Sequence, residues 1–216
     1  MATVLEHTFE ARSPPTVADL SVKFGPIPAW RIRTDPPPGT ATEEDVLRVE
    51  ISEKRLCELV DGILVEKAAG YDESVLAVWV GTLLSNFVRP RRLGFVAGEA
   101  GMLRLAPNLI RIPDVSFVSR ERVPGGRRPK GPIAQIVPNL AVEILSESNT
   151  RKEMQRKLRE YFKAGIELVW YVDPRSRTVE VFTSPAKSAV LKESQTLTGG
   201  RVLPGFKVKV RELFEE

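Results

Sequence analysis

Residues 140–163 read LAVEILSESNTRKEMQRKLREYFK. The first six, LAVEIL, have the apolar, β-branched character of a strand bound for an interior, yet they carry an acid, Glu143, at mid-strand. Thr150 with Glu153 three residues on is a capping box, and it predicts a helix over about 151–164. On a 100° wheel, Leu158, Tyr161 and Phe162 fall within about 80° of Met154 and define a core face. Lys157 lies about 60° to one side of Met154, on the border of that face. Its stem can lie along the sheet with the ammonium at the strand ends, or it can snorkel to solvent. Lys152, in the first turn, and Lys163, near the helix end, are poorer candidates for the same place.

A second acid stands in residues 112–118, IPDVSFV. Pro113 lacks a backbone donor, which marks this strand start as an edge or a bulge. Alternation puts Ile112, Asp114, Ser116 and Val118 on one face and Val115 and Phe117 on the other. Glu143 shares its face with Ala141 and Leu145. A buried, ionised, unpaired carboxylate costs several kcal/mol even after relaxation, so each acid needs a partner. One possibility is an internal salt bridge to a base such as Arg111 or Arg159. The other is a divalent metal, Mg²⁺ or Mn²⁺, held between the two acids by hard oxygen ligands. Such an ion would polarise a phosphoryl oxygen and lower the pKa of a bound water.

The rest of the chain narrows the chemistry. Its 216 residues suit one domain with a sizeable core, and 42% apolar with 28% charged residues reads as soluble and globular. No apolar run approaches the roughly 20 residues that span a bilayer, and MATVLEHTFEARS at the N-terminus has no secretory pattern. Cys57 is the single cysteine, so no internal disulfide can form; a packing role and a cytoplasmic setting are expected. His7 is the single histidine and sits in a tail, which argues against a histidine-based zinc site, a Ser-His-Asp triad and an imidazole base. Catalysis, if present, runs on carboxylates, lysine and a hard metal. The net charge of +4 and a pI near 9.3 permit a nucleic-acid partner without demanding one.

Residues 1–41 are proline-rich (SPP, FGPIPAW, DPPPGT) and predict an extended, loosely attached N-terminal arm, pinned to the domain of residues 42–216 by Phe24, Ile27 and Trp30. Thr42 with Asp45 predicts a helix start, and ELVDGILVEK a strand at about 58–67 with a turn or bulge at Asp61-Gly62. Residues 72–89 predict a helix whose core face holds Val75, Val78, Trp79, Leu83, Phe87 and Val88. Short strands follow at about 93–98, 101–105 and 112–118. The basic loop RERVPGGRRPKGP, residues 120–132, is either a solvated connector or a phosphate-contacting segment through Arg120, Arg122, Arg127, Arg128 and Lys130. ELVWYVD and TVEVFTS pair as a hairpin across 174–177, and the chain closes on short strands and an amphipathic RELFEE turn. The class is mixed α/β.

At these residues the chain resembles the PD-(D/E)XK nuclease superfamily, and within it the Uma-two-type restriction endonucleases. The ordered set CELVDGILVEK, RIPD, VEIL, KLREYFKAGI and LVWYVDP carries the resemblance, which covers about residues 42–214. It implies a restriction-endonuclease-like fold, a central mixed β-sheet flanked by helices with the acids near one end of the central strands. It implies that Asp114 and Glu143, with the Ile144 carbonyl, hold Mg²⁺ (Mn²⁺ as a substitute), and that Glu58 of ELVDG is a third carboxylate. The lysine usual two residues after the second acid is Leu145 here, and the resemblance carries its role to Lys157. The activity implied is metal-dependent hydrolysis of nucleic acid, duplex DNA expected, by a homodimer with one site per strand. A nuclease fold kept as a catalytically silent binding module is the alternative. Glu99, in VAGEAG, faces the site or serves as a turn acid.

Overall fold

The computed structural model describes residues 14–68, 70–128 and 130–215. His7, the first part of the arm and Pro129 of the basic loop lie outside them. The described part of the arm is not extended throughout. Thr16 and Asp19 form a capping box that opens helix α1 (Val17–Phe24), and Phe24 is buried. The signal was in the sequence: Thr16 stands three residues before an acid. Helix α2 (Glu43–Glu53) starts from the Thr42–Asp45 capping box as expected. The segment 57–66 is a hairpin rather than one strand. β1 (Cys57–Val60) and β2 (Ile63–Glu66) are joined by Asp61 at φ 49° and Gly62 at φ 75°. Two successive positive φ values suit the twist of a two-residue hairpin.

Helix α3 (Tyr71–Val88) fills the expected stretch, but its buried stripe is Leu76, Ala77, Val80, Leu84 and Val88. Val75, Val78 and Trp79, assigned to the core face above, are exposed. The helix is apolar around most of its circumference, so periodicity did not choose the face; the sheet beneath it did. After α3 come β3 (Gly94–Ala97), β4 (Met102–Ala106), β5 (Leu109–Arg111), β6 (Val115–Ser119), β7 (Ile133–Ala134) and β8 (Leu140–Ile144). Helix α4 (Arg151–Ala164) opens on Thr150 and Glu153, and β9 (Leu168–Asp173) returns through the core. β10 (Thr178–Ser184) pairs with β9 as the expected hairpin, followed by β11 (Lys187–Leu191), β12 (Thr196–Gly199), β13 (Leu203–Lys209) and a 3₁₀ turn at Val210–Leu213.

The strands form two main sheets where the sequence suggested one. The six-stranded sheet runs β11-β10-β9-β8-β6-β3, with β8 parallel to β9 and antiparallel to β6. The five-stranded sheet runs β2-β1-β5-β4-β7, and β12 pairs with β13 separately. The chain crosses from the small sheet to the large one at Ile112–Asp114, between β5 and β6. Pro113 cannot donate to a ladder, so pairing breaks there. α3 covers one face of the large sheet, on Val115, Phe117, Val142 and Trp170. α4 covers the other, packing Met154, Leu158 and Tyr161 against Ala141, Val169 and Tyr171. α2 packs on the small sheet, and Phe24 of the arm joins Val60, Ile63 and Val65. Cys57 is a core residue whose thiol burial pushes up to about 11, in keeping with the packing role expected. Among the described residues no helix is long and apolar enough to cross a membrane.

Candidate active site

Val115 pairs with Val142 at the end of the β6–β8 ladder. One step further along the two chains, Asp114 stands opposite Glu143. In an antiparallel pair such residues project from the same face with Cβ atoms about 5 Å apart. Glu143 shares its face with Ala141 and looks toward α4. Asp114 fills the lost rung of the ladder with its side chain: the Ile144 N–H donates to Asp114 Oδ2 at 2.6 Å.

α4 lays two polar side chains over Glu143. Lys157 Nζ is 3.0 Å from Glu143 Oε2 and 3.1 Å from Glu58 Oε1, and the residue is only 4% exposed. Its ammonium therefore reaches the strand ends, and the snorkelling alternative is not the one adopted. Tyr161, read from the wheel as a core residue, donates its hydroxyl to Glu143 Oε1. Burial alone would lower the Lys157 pKa, but Glu143 and Glu58 outweigh it and raise it, so Lys157 is a fixed cation at neutral pH. Burial raises the Glu143 carboxyl. Lys157 opposes this, while Asp114 and Glu58 add to it, and the net shift is upward.

Glu58 comes from β1 of the small sheet and joins the same cluster. Its place is not that of an open ligand. Oε2 takes Arg111 Nη1 at 2.6 Å, and Oε1 takes the Ile112 N–H at 3.1 Å as well as Lys157. Burial pushes Glu58 up, but Lys157 and Arg111 together bring it down to about 2. Glu58, expected as a third carboxylate, thus lies in the cluster and holds Lys157. Arg111 is the buried base that the sequence reading named as a salt-bridge partner, and it serves Glu58 and Glu160 rather than Asp114 or Glu143.

Two residues without a sequence-based assignment complete the cluster. Lys67, just after β2, places Nζ 2.9 Å from Asp114 Oδ1. Arg31, in the arm, bonds the Glu66 carbonyl, the Ser148 carbonyl and both oxygens of Glu153. It thereby ties the end of β2 to the start of α4. Glu99 does reach the site, and its carbonyl accepts from Lys67 at 3.2 Å. Asp114, Glu143, Ile144, Glu58, Lys67 and Lys157 line a cavity of about 20 Å³, room for about one water or ion. Counting its whole lining, five carboxylates face three basic side chains, an excess of negative charge. A groove of about 640 Å³ runs along α3 past Gly81, Ser85 and Arg89 and ends on Glu99 and Asp114.

The basic loop stands elsewhere. It leaves the Ser119 end of β6, whereas Asp114 precedes the other end, roughly 16 Å away over five residues. Arg122 is spent on the Pro138 and Gly165 carbonyls and on Glu167, and Arg120 lies over the Phe95 ring. None of Arg120, Arg122, Arg127, Arg128 and Lys130 lines the cavity or the groove.

A family model described as "Uma2: Putative restriction endonuclease" matches residues 43–211. The chain belongs to the Uma2 family. The family span contains Glu58, Lys67, Asp114, Glu143 and Lys157 but not Arg31, so the arm adds a buried contact from outside it. A solved structure, a putative nuclease belonging to DUF820 from Anabaena variabilis, is similar to this Uma2 chain with a TM-score of 0.66 at 19% identity. The match covers 74% of this chain and 90% of that one. That likeness bears out the restriction-endonuclease-like fold. No curated protein matches the chain.

Proposed function

We propose that this chain is a metal-dependent endonuclease that hydrolyses phosphodiester bonds, with duplex DNA as the expected substrate. The observation that carries this reading is Asp114 opposite Glu143 at the end of the β6–β8 ladder, with the Lys157 ammonium fixed on Glu143 beside a cavity the size of one ion. The donor set fits Mg²⁺ or Mn²⁺. Two carboxylates and the Ile144 carbonyl are hard oxygen donors, and Mg²⁺ takes one or two carboxylates while leaving its remaining positions to water and phosphate. Among the described residues no group of three or more acidic, histidine or cysteine side chains is placed to hold a metal ion, so an ion here would rest on two carboxylates and the Ile144 carbonyl, with water and phosphate completing its coordination. The bound ion would polarise the phosphoryl oxygen and acidify a water.

The chain's own residues do the rest. Lys157 orients the attacking water and stabilises charge gathering on the phosphoryl oxygens. Glu58 and Tyr161 hold Lys157 and Glu143 in place, and Arg111 holds Glu58. The α3 groove admits a strand of backbone to Asp114, with Arg89 available for a phosphate. A homodimer is the simplest way to cut both strands, and light scattering tests it. A cytoplasmic location goes with the same reading. One observation favours the silent-module alternative: every carboxylate of the cluster already has a cationic partner, Lys157 on Glu58 and Glu143 and Lys67 on Asp114. Nicking of supercoiled plasmid with Mg²⁺ or Mn²⁺ separates the two, with an RNA arm to test substrate class. Activity in the wild type that is lost in both Glu143→Ala and Lys157→Ala supports the enzyme. Absence of nicking, or nicking that survives both changes, sinks it.

A further inference from the structure

Asp114 has its two oxygens engaged in different ways. Oδ2 is held by a backbone N–H that cannot leave without unpicking the sheet. Oδ1 is held by the Lys67 ammonium, on a flexible side chain 9% exposed that lines the same cavity. The backbone of Lys67 is firmly placed: its N–H donates to the Leu56 carbonyl at 2.8 Å, and the preceding carbonyl is bonded by Arg31. Apart from Asp114, the polar contact of its ammonium is a single carbonyl, that of Glu99. A divalent ion between Asp114 and Glu143 and an ammonium on Asp114 Oδ1 would stand within a few Å of each other, and like charges at that range in a poorly hydrated site repel strongly.

We propose that Lys67 is a tethered competitor for the metal position. Its ammonium neutralises Asp114 while no divalent ion is bound and is displaced from Oδ1 when one binds. The displaced ammonium keeps its bond to the Glu99 carbonyl, at the end of the α3 groove, where it meets the phosphate of the substrate. The cluster is thereby charge-compensated without a metal ion, and metal binding arms a second lysine beside Lys157. This rests on the metal-dependent reading above and adds a residue to it.

Calorimetric titration of Mn²⁺ into the full chain tests it, comparing wild type with Lys67→Met, Lys67→Gln and Lys67→Arg at fixed pH and salt. Removing the competing charge should tighten Mn²⁺ binding roughly tenfold in Lys67→Met, the effect of relieving a modest like-charge repulsion, with Lys67→Arg near the wild type. Lys67→Gln keeps a donor for Asp114 without the charge, so it tests the idea even where Met impairs folding, which a thermal melt reports. At saturating Mn²⁺ the tighter-binding variants should still nick more slowly than the wild type. Wild-type binding with no tightening in Lys67→Met or Lys67→Gln overturns this proposal alone. Binding by neither wild type nor variants overturns the metal-dependent reading with it.

Discussion

Arg31→Met should destabilise this protein more than a change in a proline-rich arm would suggest. The guanidinium is buried together with its partner, the two side chains being 3% and 2% exposed. It meets Glu153 bidentately at 2.8 and 2.9 Å and donates to the Glu66 carbonyl at 2.9 Å and the Ser148 carbonyl at 3.2 Å. Methionine fills much of the volume but leaves Glu153 buried and unpaired, at a penalty of about 3–5 kcal/mol. The two carbonyls lose a donor as well, so the upper part of that range is expected. In a chain of this size about 1 kcal/mol moves Tm by roughly 2–4 °C, so the melt should fall by on the order of 10 °C. Glu153→Gln in the same background removes the orphaned charge and should recover a good part of the loss, because neutral side chains of similar shape tolerate burial better. The assay is a urea or thermal melt of the four proteins in that cycle. A drop of under about 3 °C for Arg31→Met, or no recovery on adding Glu153→Gln, would refute the idea that this pair clamps the arm and β2 to α4.

Three further outcomes follow, two at the carboxylate cluster and one at the basic loop. Glu143→Gln should abolish plasmid nicking while leaving Tm unchanged or raised, since burial and the charges of Asp114 and Glu58 disfavour the ionised carboxyl that catalysis needs. Glu58 stands at about 2 when folded against 4.5 as its ordinary value. Its stabilisation, on the order of 3 kcal/mol, is present above pH 4.5 and lost as pH falls toward 2. Glu143, shifted the opposite way, offsets part of it, and Glu58→Gln should flatten the acid limb of a pH–stability curve. The triple change Arg127→Ala, Arg128→Ala, Lys130→Ala should leave nicking little altered, because the loop leaves β6 at the end remote from Asp114; a large loss would mean that substrate reaches across the sheet.

Much of this molecule was legible in the chain because the signals were local. A capping box needs only four residues, so Thr150–Glu153 placed α4 and hence the side on which Lys157 falls. Alternation in IPDVSFV and LAVEIL put Asp114 and Glu143 on definable faces, and Pro113 marked the break between strands. Asp61-Gly62 announced a turn, although the segment proved to be a full hairpin. What escaped was set by packing across long stretches of chain. The face of α3 was ambiguous because the helix is apolar nearly all round, and only contact with Val115, Val142 and Trp170 chose Leu76, Val80 and Leu84. Nothing local tells that Arg31 meets Glu153, 122 residues away, or that Arg111 claims Glu58, 53 residues away. An ion pair depends on where two side chains end, and that is decided once the two sheets and α4 have closed on one another. The acids and the lysine were therefore properties of the sequence. Which oxygen each cation holds, and which oxygens remain for a metal, belongs to the tertiary structure.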